Sequence, residues 1–172
     1  MLHRLLIRAS LCAFVLVLAA GCAARFEKMV PDVPQAAAGR EGTPLRAGIA
    51  LVGVSGGNWE DVTDDEFQRA LSAALQAHGY LSPDPAGAPY RLSVLIIELR
   101  YPRASFTTTV DAFVRYTLLR TATGTAVFDE IIHSAETKTI GEEFVGLARK
   151  RVALEGAIRS SIAAFFARLE AL

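Results

Sequence analysis

"YRLSVLIIELRY" (Tyr90–Tyr101) and "FTTTVDAFVRYTLLR" (Phe106–Arg120) are separated by a short turn at Pro102–Ser105. Here the hydrophobic pattern of the chain changes from a helical spacing to strict alternation. In the second stretch Val110, Ala112, Val114, Tyr116 and Leu118 fall on one side. Thr107, Thr109, Asp111, Arg115 and Thr117 fall on the other. A strand with that alternation has one buried and one wet face, the mark of an antiparallel sheet covered on one side. The first stretch is apolar at both parities in its middle, as expected of an interior strand buried on both faces.

Working outward, "RAGIALVGV" (Arg46–Val54) is a short apolar run suited to a buried strand. After the loop "SGGNW" comes a helix start. Thr63 is placed to cap, Glu66 three residues on completes a capping box, and Val62 and Phe67 form a hydrophobic staple. Asp64, Asp65 and Glu66 put negative charge at the positive end of the helix dipole. Phe67, Leu71, Leu75 and His78 recur at helical spacing, and Gly79 ends the helix as a left-handed cap. Downstream of Arg120, a turn near Thr123–Gly124 leads into a fourth strand, "AVFDEIIHSAET" (Ala126–Thr137). A last helix runs from about Glu143 to Leu169. Its apolar stripe is Leu147, Leu154, Ile158, Ile162, Phe165 and Leu169, interrupted by Arg151. Gly156 inside it costs about 1 kcal/mol relative to alanine, which implies close packing against the sheet or the first helix.

The order is β-α-β-β-β-α. A right-handed parallel crossover joins the first two strands, and two hairpins follow. The expected fold is α+β: a two-layer sandwich in which a four-stranded mixed sheet carries two helices on one face and leaves the threonine-rich face open.

The N-terminus reads differently. Met1–Arg8 is short and basic through Arg4 and Arg8, and Ala9–Ala20 is a run of apolar and small residues too short to span a bilayer. This is the pattern of a secretory signal, which stands outside the fold. Ala19, Ala20 and Gly21 precede Cys22, in the manner of a lipobox. Residues 1–21 are therefore assigned to a lipoprotein signal peptide. Residues 22–45 are assigned to an acylated cysteine and a flexible tether containing Pro31, Pro34 and Pro44, and residues 46–172 to one periplasmic domain. Cys12 leaves with the signal, so Cys22 has no partner for an intrachain disulfide. It would carry diacylglycerol and an N-acyl chain such as palmitate. Two or three chains together hold firmly where one is marginal. No other cofactor is implied. Without its first 21 residues the chain keeps all 18 acidic and 16 of its 18 basic residues, a net charge of −2 that offers no footprint for nucleic acid.

Lipobox, proline-containing tether, a strand, a helix ending "LQAHGYL", then "YRLSVLIIEL", "VRYTLL" and a long C-terminal helix together resemble small outer-membrane lipoproteins of the YajG type. More distantly they are similar to LptE-like lipoproteins, which assist lipopolysaccharide assembly. The resemblance implies an anchor, a fold and a non-enzymatic envelope role, and carries over no functional residue. Its sorting rule, with Ala23 rather than Asp after the cysteine, implies the periplasmic face of the outer membrane.

Motifs for chemistry are weak. The glycines of "GVSGGNWED" match neither phosphate-binding spacing, and Glu60, Asp61, Asp64 and Asp65 would repel an anion. The same acids lack the alternating spacing of a calcium loop, so no metal is expected. His78 and His133 stand near no nucleophile motif, so no enzyme is expected. His78 is expected as a cation complementing the end of its helix, and Arg149–Lys150–Arg151 as a solvated basic face. The expected role is an accessory lipoprotein docking onto another envelope protein or a second copy. Its docking surface is Thr107, Thr109, Asp111, Phe113 as the apolar centre, Arg115 and Thr117, with Trp59 as a further contact. The alternative is a lipid- or lipopolysaccharide-handling protein with an apolar cleft between helices and sheet.

Overall fold

A computed structural model describes residues 25–33, 45–56, 62–101, 107–142 and 145–172. Its elements are α1 (Phe26–Met29), β1 (Ile49–Ser55), α2 (Asp64–Ala77), β2 (Tyr90–Arg100), β3 (Thr107–Arg120), β4 (Ala126–Thr139) and α3 (Gly146–Leu169). The strands lie in sequence order β1-β2-β3-β4, with β1 parallel to β2 and the other pairs antiparallel. The fold is the expected α+β sandwich, with one short helix added at its N-terminal end.

The local signals of α2 act as the sequence implies. The Thr63 hydroxyl accepts the Glu66 amide at 3.2 Å, and the Glu66 carboxylate accepts the Thr63 amide at 2.9 Å. Val62 and Phe67 are both buried. Gly79 has φ 73°, the left-handed cap.

The inner face of the sheet meets the helices. From β3 it contributes Val110, Ala112, Val114, Tyr116 and Leu118, all fully buried. In β2 a register shift between Ile96 and Glu98 inserts an extra residue. Ile96 and Leu99, three apart, are both buried as a result, which alternation alone forbids. Tyr116 stacks on Phe165 of α3 at 4.6 Å, and its hydroxyl shares a 3.0 Å hydrogen bond with Ser161. Burial pushes the Tyr116 phenol well above its usual range, the Ser161 bond opposing weakly, so the buried group stays neutral.

α3 crosses the sheet at close range. The Ser134 hydroxyl of β4 donates to the Ala157 carbonyl at 2.8 Å. A Cβ on Gly156 would lie 2.6 Å from Glu136 Cγ, so the glycine is there for the approach to β4.

Four expectations are corrected. β2 is interior by hydrogen bonding but covered on one face only, leaving Leu95 and Ile97 each 43% exposed. The last helix starts at Gly146 rather than Glu143, and Leu147 is 73% exposed instead of joining the stripe. Continuous burial along α3 begins at Ala153. Arg149–Lys150–Arg151 is not a solvated face: Arg149 is buried with Nε donating to Thr108 at 3.3 Å, and Lys150 sits 4.0 Å from the Tyr101 ring. Finally, residues 25–33, assigned to the tether, pack on the helices, with Met29 fully buried. An apolar side chain of that size contributes about 1.5–3 kcal/mol on burial, one part of what offsets the entropy of ordering the segment.

Gly156→Ala should leave the protein no more stable, or up to about 1 kcal/mol less stable, because crowding of Glu136 offsets the helix-propensity gain of about 1 kcal/mol. Adding Glu136→Ala should recover about 1 kcal/mol. Thermal melts of the two single variants, the double variant and the parent check this. A full gain in Gly156→Ala alone would show that α3 is not tightly seated.

Candidate functional site: the open sheet face

The residues that point away from the helices form one surface across three strands. Its rows follow the pairing register. Ser93, Thr117 and Asp129 form one row; Leu95, Arg115 and Ile131 the next; then Glu98, Phe113 and His133; then Arg100, Asp111 and Ala135; and Thr109 faces Thr137 beyond. Thr107, Thr109, Asp111, Phe113, Arg115 and Thr117 thus share a face, as the alternation requires. Cys22 and Trp59 lie outside the described residues.

The charges on this face are paired with one another. Arg115 grips Asp129 through two bonds, Nε–Oδ1 at 2.7 Å and Nη2–Oδ2 at 2.5 Å, and the Thr117 hydroxyl donates to the same carboxylate at 2.9 Å. These donors, Arg115 first, hold the Asp129 carboxyl down at about 2. Arg100 Nε donates to Glu98 at 2.7 Å, which lowers the Glu98 carboxyl below its ordinary value. His133 Nε2 meets Asp111 at 2.8 Å, and the Thr109 and Thr137 hydroxyls are 2.9 Å apart.

Phe113 is not the exposed apolar centre. It is half-buried, with the Arg100 guanidinium 4.8 Å from its ring and the His133 ring stacked on it at 4.4 Å. The exposed apolar surface is Leu95, Ile97 and Ile131, the last 54% exposed. Sequence reading placed Leu95 and Ile97 in a strand buried on both faces and assigned no face to Ile131. The clue was in "VLIIEL" and "EIIH", where Leu95 and Ile131 both flank Arg115 of β3 and Ile97 is the unpaired bulge residue. The result is a set of rigid, self-neutralised polar pairs around aliphatic and aromatic contact area. Such a surface costs little to desolvate compared with free charges and little side-chain entropy to order.

The helix–sheet interface is filled. Phe67, Leu71, Leu75, Ile158, Ile162 and Phe165 on the helices and Leu92, Leu118 and Ile132 on the sheet are fully buried, so these residues line no open cleft. A pocket of about 100 Å³ lies instead on the outer side of the helices, lined by Pro31, Asp32, His78, Ala163, Phe166, Ala167 and Glu170. His78 is not a solvated cation capping its helix. Its side chain is 3% exposed and stacked on Phe166 at 3.9 Å. Neither ring nitrogen makes a hydrogen bond, and Glu170 stands 3.8 Å away. Burial lowers its pKa, with Glu170 pulling weakly the other way. The acids at the start of α2 have local roles: Glu66 closes the capping box and Asp65 pairs with Arg69 at 3.2 Å. Asp61 lies outside the described residues. Among the described residues no three His, Cys, Asp or Glu converge as a metal site, and no helix is long and apolar enough to cross a membrane.

No family model matches the chain, nor does any curated protein sequence. Solved structures do. A Xanthomonas campestris protein of the DUF330 family superposes with a TM-score of 0.57 at 11% identity, over 73% of this chain and 86% of that one. A candidate lipoprotein from Caulobacter crescentus gives 0.51 at 17% identity, over 72% and 88%. A minor lipoprotein from Acinetobacter baumannii gives 0.50 at 11% identity, over 74% and 94%. At these identities the likeness establishes the fold: a small α+β fold that bacterial lipoproteins use.

The depressed pKa of His78 has a sign. Above 6.5 the imidazole is neutral folded or unfolded and adds no pH dependence. As pH falls through 6.5 the unfolded chain takes up a proton that the folded protein resists, so stability drops until the folded pKa is passed. In His78→Phe this part of the loss should vanish. Denaturant melts at about pH 7.5 and about pH 5.5 check it; equal losses in parent and variant would show that His78 is not held neutral.

Proposed function

We propose that this protein is a lipid-anchored accessory protein of the bacterial envelope. It is non-enzymatic and docks through its open sheet face onto another envelope protein. The observation that carries this reading is the aliphatic surface of Leu95, Ile97 and Ile131 set among internally paired charges on a face that none of the described helices covers. Interfaces owe much of their affinity to such desolvated apolar and aromatic anchors with a satisfied polar surround. The anchor is Cys22, read from the lipobox, and Ala23 after it directs the protein to the periplasmic face of the outer membrane. Kinship with YajG-type lipoproteins, and more distantly with LptE-like ones, rests on the order of lipobox, strand, helix and hairpins in the sequence. The lipoprotein-type fold of the structural neighbours supports the same role.

A photoreactive residue at Phe113 or Thr109 in living cells should capture one discrete envelope protein, and Leu95→Asp with Ile131→Asp should cut that yield about tenfold, the loss expected when central contacts are removed. Capture of lipid alone, or of nothing, would overturn the docking role. The anchor has its own test. Cys22→Ser should abolish uptake of labelled palmitate and release the protein from the membrane fraction, whereas equal labelling of parent and variant would remove the lipoprotein assignment.

A further inference from the structure

Residues 25–33 form a third layer. α1 packs on α2 and α3 and touches no strand. Met29 is fully buried and Pro31 is buried behind it. The Arg69 guanidinium of α2 lies 4.9 Å from the Phe26 ring. The Arg25 amide donates to Glu155 Oε1 of α3 at 2.8 Å, and Arg159 Nη1 donates to the Lys28 carbonyl at 3.4 Å. The Glu155 carboxylate is buried, and Arg151 lies 3.8 Å from it. A buried acid that accepts the backbone of a remote segment fixes where that segment sits.

Cys22 is three residues before Arg25. A fully extended chain advances at most about 3.3–3.6 Å per residue, so the acyl chains enter the bilayer within about 10 Å of the outer side of α3. The sheet lies beyond the helices, and packed layers stand about 10 Å apart. Around the docked segment Arg25, Lys28, Arg69 and Arg159 are exposed, beside Glu27, Asp32 and Asp65. Cations so placed reach phosphate headgroups while their stems lie along the surface.

We propose that the helical layer, overlaid by α1, is the membrane-facing surface, its partner a phospholipid headgroup layer, and that the open sheet face points away from the membrane. The inference rests on acylation of Cys22 and deepens the docking role. A partner would approach the sheet from the aqueous side, and the docked segment sets that orientation where a free tether would leave it random.

In the acylated mature chain Cys12 has left with the signal and the Cys22 sulfur is capped as a thioether, so one introduced cysteine takes a fluorophore selectively. Labels at Ala163→Cys on α3 and Ser93→Cys on β2 are compared in phosphatidylcholine–phosphatidylglycerol vesicles carrying a headgroup quencher. Quenching at position 163 should exceed that at 93 by about threefold, given the layers between them. Met29→Asp, confirmed folded by a cooperative melt, should bring the ratio close to one. Equal quenching in the parent, stronger quenching at 93, or an unchanged ratio in Met29→Asp would overturn the proposal. The mass of the N-terminal peptide from the same sample separates the two readings. A lipidated peptide with no asymmetry defeats the orientation alone, and an unlipidated one defeats the anchor and the orientation with it.

Discussion

The close crossing of α3 over the sheet is the constraint from which the rest of the molecule follows. It is held by the Ser134 hydroxyl on the Ala157 carbonyl, by the room Gly156 leaves for Glu136, and by Tyr116 stacked on Phe165 with its hydroxyl on Ser161. Along this crossing Tyr116, Leu118, Ile132, Ala157, Ile158 and Phe165 are fully buried. Its contacts combine apolar burial with hydrogen bonds to groups that would otherwise be orphaned, so they set position as well as stability. With α2 beside it, all helical cover goes to one side of the sheet.

That one-sidedness makes the other face what it is. Were β2 covered on both sides, Leu95 and Ile97 would be core; left open, they are exposed aliphatic surface. The neighbouring polar residues meet the exposure by pairing across strands, Arg115 with Asp129, His133 with Asp111 and Thr109 with Thr137. Exposed pairs of this kind contribute little to folding. Their effect is to hold side chains in one arrangement and to cancel charge, which keeps the aliphatic surface usable in water without a strong field of either sign.

On the far side, Glu155 takes the backbone amide of Arg25, whereas Arg149 turns to the sheet and donates to the Thr108 hydroxyl. His78 is the exception, enclosed by aromatic rings and unbonded at both nitrogens, and burial keeps it neutral. The N-terminal segment bonded to Glu155 begins three residues after Cys22. With Cys22 acylated as proposed, position relative to the membrane would be a property of the fold rather than of a linker.

The local code of this chain was legible by itself. Alternation in Phe106–Arg120 assigned β3 and its two faces. Thr63, Glu66 and Gly79 bounded α2, because capping needs only residues three or four apart. Gly156 announced a close approach. What the sequence could not decide was which apolar residues would be covered. Leu95, Ile97 and Leu147 are as apolar as their buried neighbours, and Met29 sits among prolines with no period to mark it. A bulge at Ile97 moved Leu99 to the core without changing composition. Burial depends on what the rest of the chain brings to a surface, and hydropathy alone carries no record of that. The tertiary structure therefore decided the exposed face of the sheet, the neutral His78, and the docking of residues 25–33 on the helices.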